Sequence, residues 1–100
     1  MSIGALDGVD TARLDAVCRQ YGISALFVFG SVARGAPEPG SDVDLLYDLA
    51  PGVRLGWEIE DLADELGEIF GRPVDLVARA ALHPLLRTAV LDEARAVYAA

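Results

Sequence analysis

The sequence predicts an α+β fold in which helices pack on a small mixed β-sheet. Apolar residues recur at helical spacing in three segments, and short runs rich in aliphatic and aromatic residues lie between them. Clusters of glycine and proline separate these patterns. The resulting order is helix, strand, turn, strand, helix, strand, helix, and helices packed on a mixed sheet are the economical arrangement for it.

The first helix is predicted over residues 10–21, with Asp10 as its N-cap and Gly22 just past its end. Its apolar stripe consists of Leu14, Val17, Cys18 and Tyr21. Cys18 is the only cysteine, so an internal disulfide is excluded and a buried structural thiol is favoured. Residues 24–29 form a short apolar run, which predicts a buried strand.

The second strand is predicted over residues 42–48, after a loop at 35–41 that is dense in turn-forming residues. The connection from the first strand has no room for a long crossover helix, so the two strands should be antiparallel neighbours. Asp48 closes the second strand just before Pro51-Gly52, and we interpret it as an exposed strand end.

Residues 57–70 form the clearest helix, and Gly71 and Pro73 end it. Its apolar face consists of Ile59, Leu62, Ala63, Leu66 and Phe70. A third strand is predicted over 74–78 and a short edge strand over 96–98. A last helix lies between them, with Pro84 in its first turn and apolar positions at Leu82, Leu85, Leu86, Ala89 and Val90. His83 is expected at the surface or as a cap, and Trp57 as either a core residue or a partner contact.

Composition and charge narrow the class of protein. One hundred residues predict one domain, 1–100. No apolar run is long enough to cross a bilayer and no signal peptide is visible, so a cytoplasmic location is expected. The net charge is −8 and the eight basic residues, all arginine, are scattered along the chain. Direct nucleic-acid binding is therefore disfavoured, whereas a basic partner or a bound metal suits this charge.

Asp42 and Asp44 lie two apart on a predicted strand, so their side chains should share one face. Ionised carboxylates separated by the corresponding rise of roughly 6–7 Å repel by about 2–3 kcal/mol at an effective dielectric near 20. A hard divalent cation such as Mg²⁺ removes that repulsion. Alternatively, both are solvated at the strand end or are paired with Arg34 or Arg79.

Asp75 strengthens the case for a metal site. It lies between Val74 and Leu76, and apolar neighbours on both sides predict a position in the interior of the sheet, where a charge is costly unless it is paired or ligates a metal. If the third strand lies beside the second, Asp75 joins Asp42 and Asp44 in one cluster. A pair with Arg72 or Arg79 is the alternative.

Gly30 and Ser31 directly follow the first predicted strand. A glycine lets the backbone approach a ligand closely, and amide donors with a nearby hydroxyl form an anion site. Arg34 could hold a phosphate oxygen. The alternatives are an ordinary turn glycine and a solvated turn arginine.

Together, the segments Gly30-Ser31-Val32-Ala33-Arg34-Gly35 and Ser41-Asp42-Val43-Asp44-Leu45, followed by Asp75, resemble the DNA polymerase β-type nucleotidyltransferase superfamily. The chain is most similar to its minimal branch, the MNT-type proteins, which pair with HEPN-domain RNase toxins in toxin–antitoxin systems. The resemblance covers nearly the whole chain, and the family's helix-strand-turn-strand-X-strand-helix order agrees with the order predicted above.

The resemblance implies a role for each residue. Gly30 and Ser31 would hold the terminal phosphates of ATP or another nucleoside triphosphate, with Arg34 as a further phosphate contact. Asp42 and Asp44 would ligate two Mg²⁺ ions. Asp75 would complete the metal site and assist deprotonation of the attacking hydroxyl.

Larger relatives carry a further domain that grips the acceptor, for which one hundred residues leave no space. The resemblance therefore implies an acceptor on a separate molecule, namely a tyrosine of the cognate toxin, which is adenylylated and silenced. Two other functions stay open. The chain could be an acidic antitoxin that blocks its toxin by binding alone, or a small-molecule nucleotidyltransferase completed by oligomerisation.

Overall fold

The computed structural model describes residues 9–29 and 42–99 of the chain. The elements in this part are α1 (Thr11–Gln20), β1 (Ile23–Phe29), β2 (Val43–Leu49), α2 (Glu58–Phe70), β3 (Val74–Ala78), a 3₁₀ turn (Arg79–Ala81), α3 (Pro84–Glu93) and β4 (Arg95–Ala99). The predicted α+β class is confirmed, and each predicted element is present within a few residues of its expected bounds.

The four strands of the described part form one mixed sheet in the order β3-β2-β1-β4. β1 pairs antiparallel with β2 and with β4, whereas β2 and β3 are parallel. The predictions of antiparallel first strands and of β3 beside β2 are therefore confirmed. The prediction that Asp75 lies in the sheet interior is wrong, because the α2 crossover places β3 at the edge and leaves Asp75 exposed.

The main core lies between one face of the sheet and helices α1 and α2, which also contact each other. It contains the predicted stripe residues Leu14, Val17 and Cys18 of α1, and Leu62 and Leu66 of α2. Burial is the main cause that raises the pKa of the Cys18 thiol to about 12, and the charge of nearby Asp15 adds to it. Such a pKa is expected of an inert structural thiol.

The second face of the sheet is covered at its centre. Leu46 points away from the main core yet is fully buried, and in this region the 3₁₀ turn contacts β2 and α3 contacts β1. No residue of α3 itself is buried. The apolar positions predicted for α3 therefore do not form a packed stripe, because Leu85, Leu86 and Ala89 are exposed.

Local signals set the ends of the helices. The Asp10 side chain accepts a hydrogen bond from the Arg13 amide, and the His83 Nδ1 accepts one from Leu85, so both expected caps are confirmed. Gly71 ends α2 in the left-handed conformation, with φ of 70°. Gly22, with φ of 73°, leaves no room for a Cβ, which would lie 2.7 Å from a methyl carbon of Val53.

None of the helices in residues 9–29 and 42–99 is long and apolar enough to cross a membrane.

A hydrogen bond links the two core helices at their surface. The Tyr21 hydroxyl donates to Oε2 of Glu65 at 2.6 Å, and this bond is the main cause that raises the tyrosine pKa to about 12. Glu65 is thus a half-buried structural residue rather than a free acidic group on the outer face of α2.

We expect Tyr21→Phe to lower the free energy of unfolding by about 1 kcal/mol, because the hydrogen bond between α1 and α2 is lost. Urea unfolding of Tyr21→Phe, Glu65→Ala and the double variant would measure the coupling between the two side chains. Strictly additive effects would show that the bond contributes nothing to stability.

Candidate active site

The candidate site lies at one edge of the sheet, which we call the carboxylate edge. β1 ends where β2 begins, with Phe29 opposite Asp44, because the two strands are antiparallel. β3 begins at the same edge because it is parallel to β2, and Asp75 is the register partner of Asp44. The topology therefore brings the beginnings of β2 and β3 and the end of β1 to one place.

The three predicted carboxylates meet at this edge. Asp44 is half-buried, while Asp42 and Asp75 are exposed. Register partners on adjacent strands are roughly 5 Å apart, and they project from the same face of the sheet. Burial raises the pKa of Asp44, and the charges of Asp75 and Asp42 raise it further. The structure thus brings the three side chains close enough to act on one another.

The predicted phosphate-binding residues Gly30, Ser31 and Arg34 lie outside the described residues. β1 ends at the carboxylate edge with Phe29, the residue before Gly30 in the sequence. Their proposed contact with a nucleotide stays a prediction. The Pro37-Glu38-Pro39 segment also lies outside the described residues.

The donor set at the edge fits a magnesium ion. All three groups are carboxylates, the oxygen ligands that this hard cation prefers. In residues 9–29 and 42–99, no three His, Cys, Asp or Glu side chains are already arranged as a metal-binding group. Binding of magnesium by these three carboxylates therefore stays a prediction.

An ion pair lies at the far end of the same two strands, between Asp48 of β2 and Arg79 just after β3. Nη1 of Arg79 is 2.9 Å from Oδ2 of Asp48, and both side chains are partly exposed. Asp48, interpreted from the sequence as an exposed strand end, lies one residue before the end of β2, but it is only partly exposed and is paired with Arg79. Arg79 is thus paired with Asp48 rather than with a carboxylate of the site. The sequence spacing is a signal that could have predicted this pair. Asp48 lies four residues after Asp44, and Arg79 lies four residues after Asp75, so both reach the same level when Asp44 and Asp75 are register partners.

A shallow cavity of about 510 Å³ adjoins the carboxylate edge where α2 ends and β3 begins. Its lining includes Asp64, Glu68, Arg72 and Val74. Val74 points to the opposite face from Asp75, so this cavity lies beside the three carboxylates and not among them.

Comparison with known proteins assigns the family. Residues 13–97 match the family described as "Nucleotidyltransferase domain". The chain belongs to this nucleotidyltransferase family. The nucleotidyltransferase is 31% identical over 93 residues to the protein adenylyltransferase MntA of Thermococcus cleftensis, covering 93% of each chain. It is also 35% identical over 75 residues to a candidate protein adenylyltransferase of Methanocaldococcus jannaschii, covering 75% of this chain and 80% of the other.

Solved structures give the same fold. A candidate minimal nucleotidyltransferase superposes with a TM-score of 0.75 and 37% identity, covering 95% of both chains. A toxin–antitoxin complex with AMP-PNP superposes with a TM-score of 0.71 and 20% identity, covering 92% of this chain and 75% of the other. The resemblance to the MNT-type proteins is confirmed, and the chain is a transferase of the nucleotidyltransferase family.

The pKa of Asp44 leads to a prediction about stability. Folding raises the pKa of Asp44 from its unfolded value near 3.8, so the folded protein binds the proton of this carboxyl more tightly than the unfolded chain does. The resulting contribution to stability is complete below the unfolded pKa and is lost as the pH rises through the folded pKa. In metal-free buffer at pH 7, we expect Asp44→Asn to have a higher free energy of unfolding than the wild type. The difference should disappear below about pH 3.8 in urea titrations.

Asp48→Asn is the matched control, since it makes the same change on the same strand but removes a partner of Arg79. It should not stabilise the protein at pH 7. A stabilisation equal to that of Asp44→Asn would contradict the repulsive cluster.

Proposed function

We propose that this nucleotidyltransferase transfers AMP from ATP to a tyrosine hydroxyl of a cognate HEPN-type RNase toxin and releases pyrophosphate. The observation that carries the proposal is the registration of Asp44 opposite Asp75, with Asp42 at the same edge. The reaction would make the chain the antitoxin of a two-protein system and would take place in the cytoplasm.

Two of the comparisons support the nucleotide and the partner. One structural neighbour is a toxin–antitoxin complex with AMP-PNP, an analogue of ATP. Another, with a TM-score of 0.62 and 18% identity, contains a tri-AMPylated Shewanella oneidensis HEPN toxin in complex with an MNT antitoxin. The sequence similarity to protein adenylyltransferase MntA extends over nearly the whole chain, which favours transfer of AMP to a protein over transfer to a small molecule.

In this proposal, the end of β1 presents the triphosphate to the carboxylates. Gly30 and Ser31 would hold the terminal phosphates, and Arg34 would contact a phosphate oxygen. Asp42, Asp44 and Asp75 are the residues that would hold two Mg²⁺ ions. When bound, these ions would neutralise phosphate charge and stabilise the attacking and leaving oxygens.

The protein's own contribution is to position the reactants and to accept a proton. Asp75 is exposed on an edge strand, so a hydroxyl of a separate molecule can approach it. Its carboxylate would take the hydroxyl proton as the new bond from oxygen to the α-phosphorus forms. The bond from the α-phosphorus to the bridging oxygen breaks, and pyrophosphate leaves with that electron pair. Most of the rate enhancement would come from positioning and charge stabilisation.

We expect Asp44→Asn and Asp75→Asn each to lower AMP transfer by at least about 100-fold while the protein stays folded, because each removes a charge used in the transition state. Intact mass spectrometry of the toxin after incubation with ATP and Mg²⁺ measures the transfer. Asp15→Asn, the same change at a partly buried position of α1, should retain most of the activity. Retained transfer in Asp44→Asn would exclude the carboxylate site.

We further expect substoichiometric antitoxin to silence its toxin when ATP and Mg²⁺ are present, because one enzyme molecule can modify many toxin molecules. With EDTA the same amount should not silence it. Residual RNase activity, measured against the molar ratio of the two proteins, provides the test. Inhibition that follows the molar ratio and ignores both ATP and EDTA would show that the chain acts by occlusion.

A further inference from the structure

Three large apolar side chains are strongly exposed in the described part of the chain. Trp57 is 92% exposed, Leu85 is 84% exposed and Leu86 is 57% exposed. Single exposed leucines are common on protein surfaces, but an almost fully exposed tryptophan is costly and typical of a binding anchor. Trp57 has no capping role either, since its side chain makes no capping hydrogen bond to α2.

The topology places all three at one end of the molecule, which we call the distal end. β2 and β3 are parallel and both run from the carboxylate edge toward it. Trp57 directly precedes the helix that follows β2, and Leu85 and Leu86 lie in the first turn of the helix that follows β3. The exposed apolar side chains therefore all lie opposite the carboxylate edge.

A cavity of about 250 Å³ opens at the same end. It is lined by Tyr47, Asp48, Leu49, Ala78 and Ala80, at the ends of β2 and β3 and in the 3₁₀ turn. A largely apolar cavity at this end of the molecule can accept a side chain from a docked protein.

The charge near Trp57 indicates what kind of partner fits. Glu58, Glu60 and Asp61 occupy the first turn of α2, and all three are exposed. Arg54 is the basic residue nearest to Trp57 in the sequence, so acidic side chains outnumber basic ones in the segment around Trp57. A second copy would bring like charges together in a chain whose net charge is −8. A protein with a basic surface around an apolar patch is complementary.

We infer that the distal end is the docking surface for the protein that carries the acceptor hydroxyl, with Trp57 and Leu85 as anchors and the acidic first turn of α2 as the attracting rim. This inference rests on the proposed function. The thirteen residues of α2 span about 20 Å between the distal end and the carboxylate edge. The acceptor must therefore lie on a segment of the partner that reaches about that far from its docking site.

The test measures binding of the cognate HEPN-type protein of the proposed function, by isothermal titration calorimetry without ATP. Trp57→Ala combined with Leu85→Ala should weaken binding by at least about 30-fold. Thr88→Ala, a change at an exposed position of α3, is the matched control and should leave affinity unchanged. Circular dichroism and the thermal shift caused by ATP with Mg²⁺ should be the same in all variants, because these side chains are exposed.

Glu60→Gln with Asp61→Asn tests the charge of the partner. The association rate should fall several-fold at low salt, and its dependence on salt should weaken. Wild-type affinity in the Trp57→Ala, Leu85→Ala variant would overturn the inference. So would a wild-type dimer in sedimentation velocity that this variant abolishes, since the surface would then bind a second copy.

Transfer measured in parallel distinguishes failure of this inference from failure of the proposed function. If the distal variants bind and are active like the wild type, the docking surface is wrong and the enzymatic function stands. If the distal variants lose binding but the wild type never modifies its bound partner, the docking surface stands and the transfer reaction is wrong.

Discussion

The parallel registration of β2 with β3 is the constraint on which the site depends. It sets Asp44 opposite Asp75, an arrangement that electrostatic repulsion opposes. The apolar pairs on either side, Val43 with Val74 and Leu45 with Leu76, favour the same register. A shift of one residue would move every side chain of β3 to the opposite face and expose its apolar residues. Core packing therefore holds the carboxylates together against their charges.

The two strands change character along their length. At the carboxylate edge they bring like charges together, in their middle they pair Leu46 with Val77, and beyond their end Arg79 meets Asp48. Opposite charges at a partly exposed position contribute little, typically below 1 kcal/mol. Asp48 and Arg79 nevertheless meet only when β2 and β3 pair in the observed register. Along these two strands, the like charges thus lie at the end where the proposed cation and triphosphate would relieve their repulsion.

The amphipathic elements could be predicted from the sequence because their signals are local. The stripe of α1, the stop at Gly71 and the strand at 74–78 follow from spacing and turn residues. The apolar neighbours of Asp75 suggested an interior strand, but strand order depends on long-range pairing that no local pattern encodes. The same limit explains why the exposure of Leu85 and Leu86 could not be predicted. Periodicity shows that a helix has an apolar side, but not whether another element covers that side. The pairing of Asp48 with Arg79 required the register first.

The exposed position of Asp75 on β3 has a consequence for the solubility of the chain. An edge strand presents unpaired backbone groups, and such edges recruit strands from other molecules unless something prevents it. β3 is only five residues long, and a charge lies at its second position. A second β3 added in register to this edge would bring its own aspartate beside the first, and the two charges would repel. The carboxylate that we propose as the proton acceptor would therefore also hinder growth of the sheet into an aggregate.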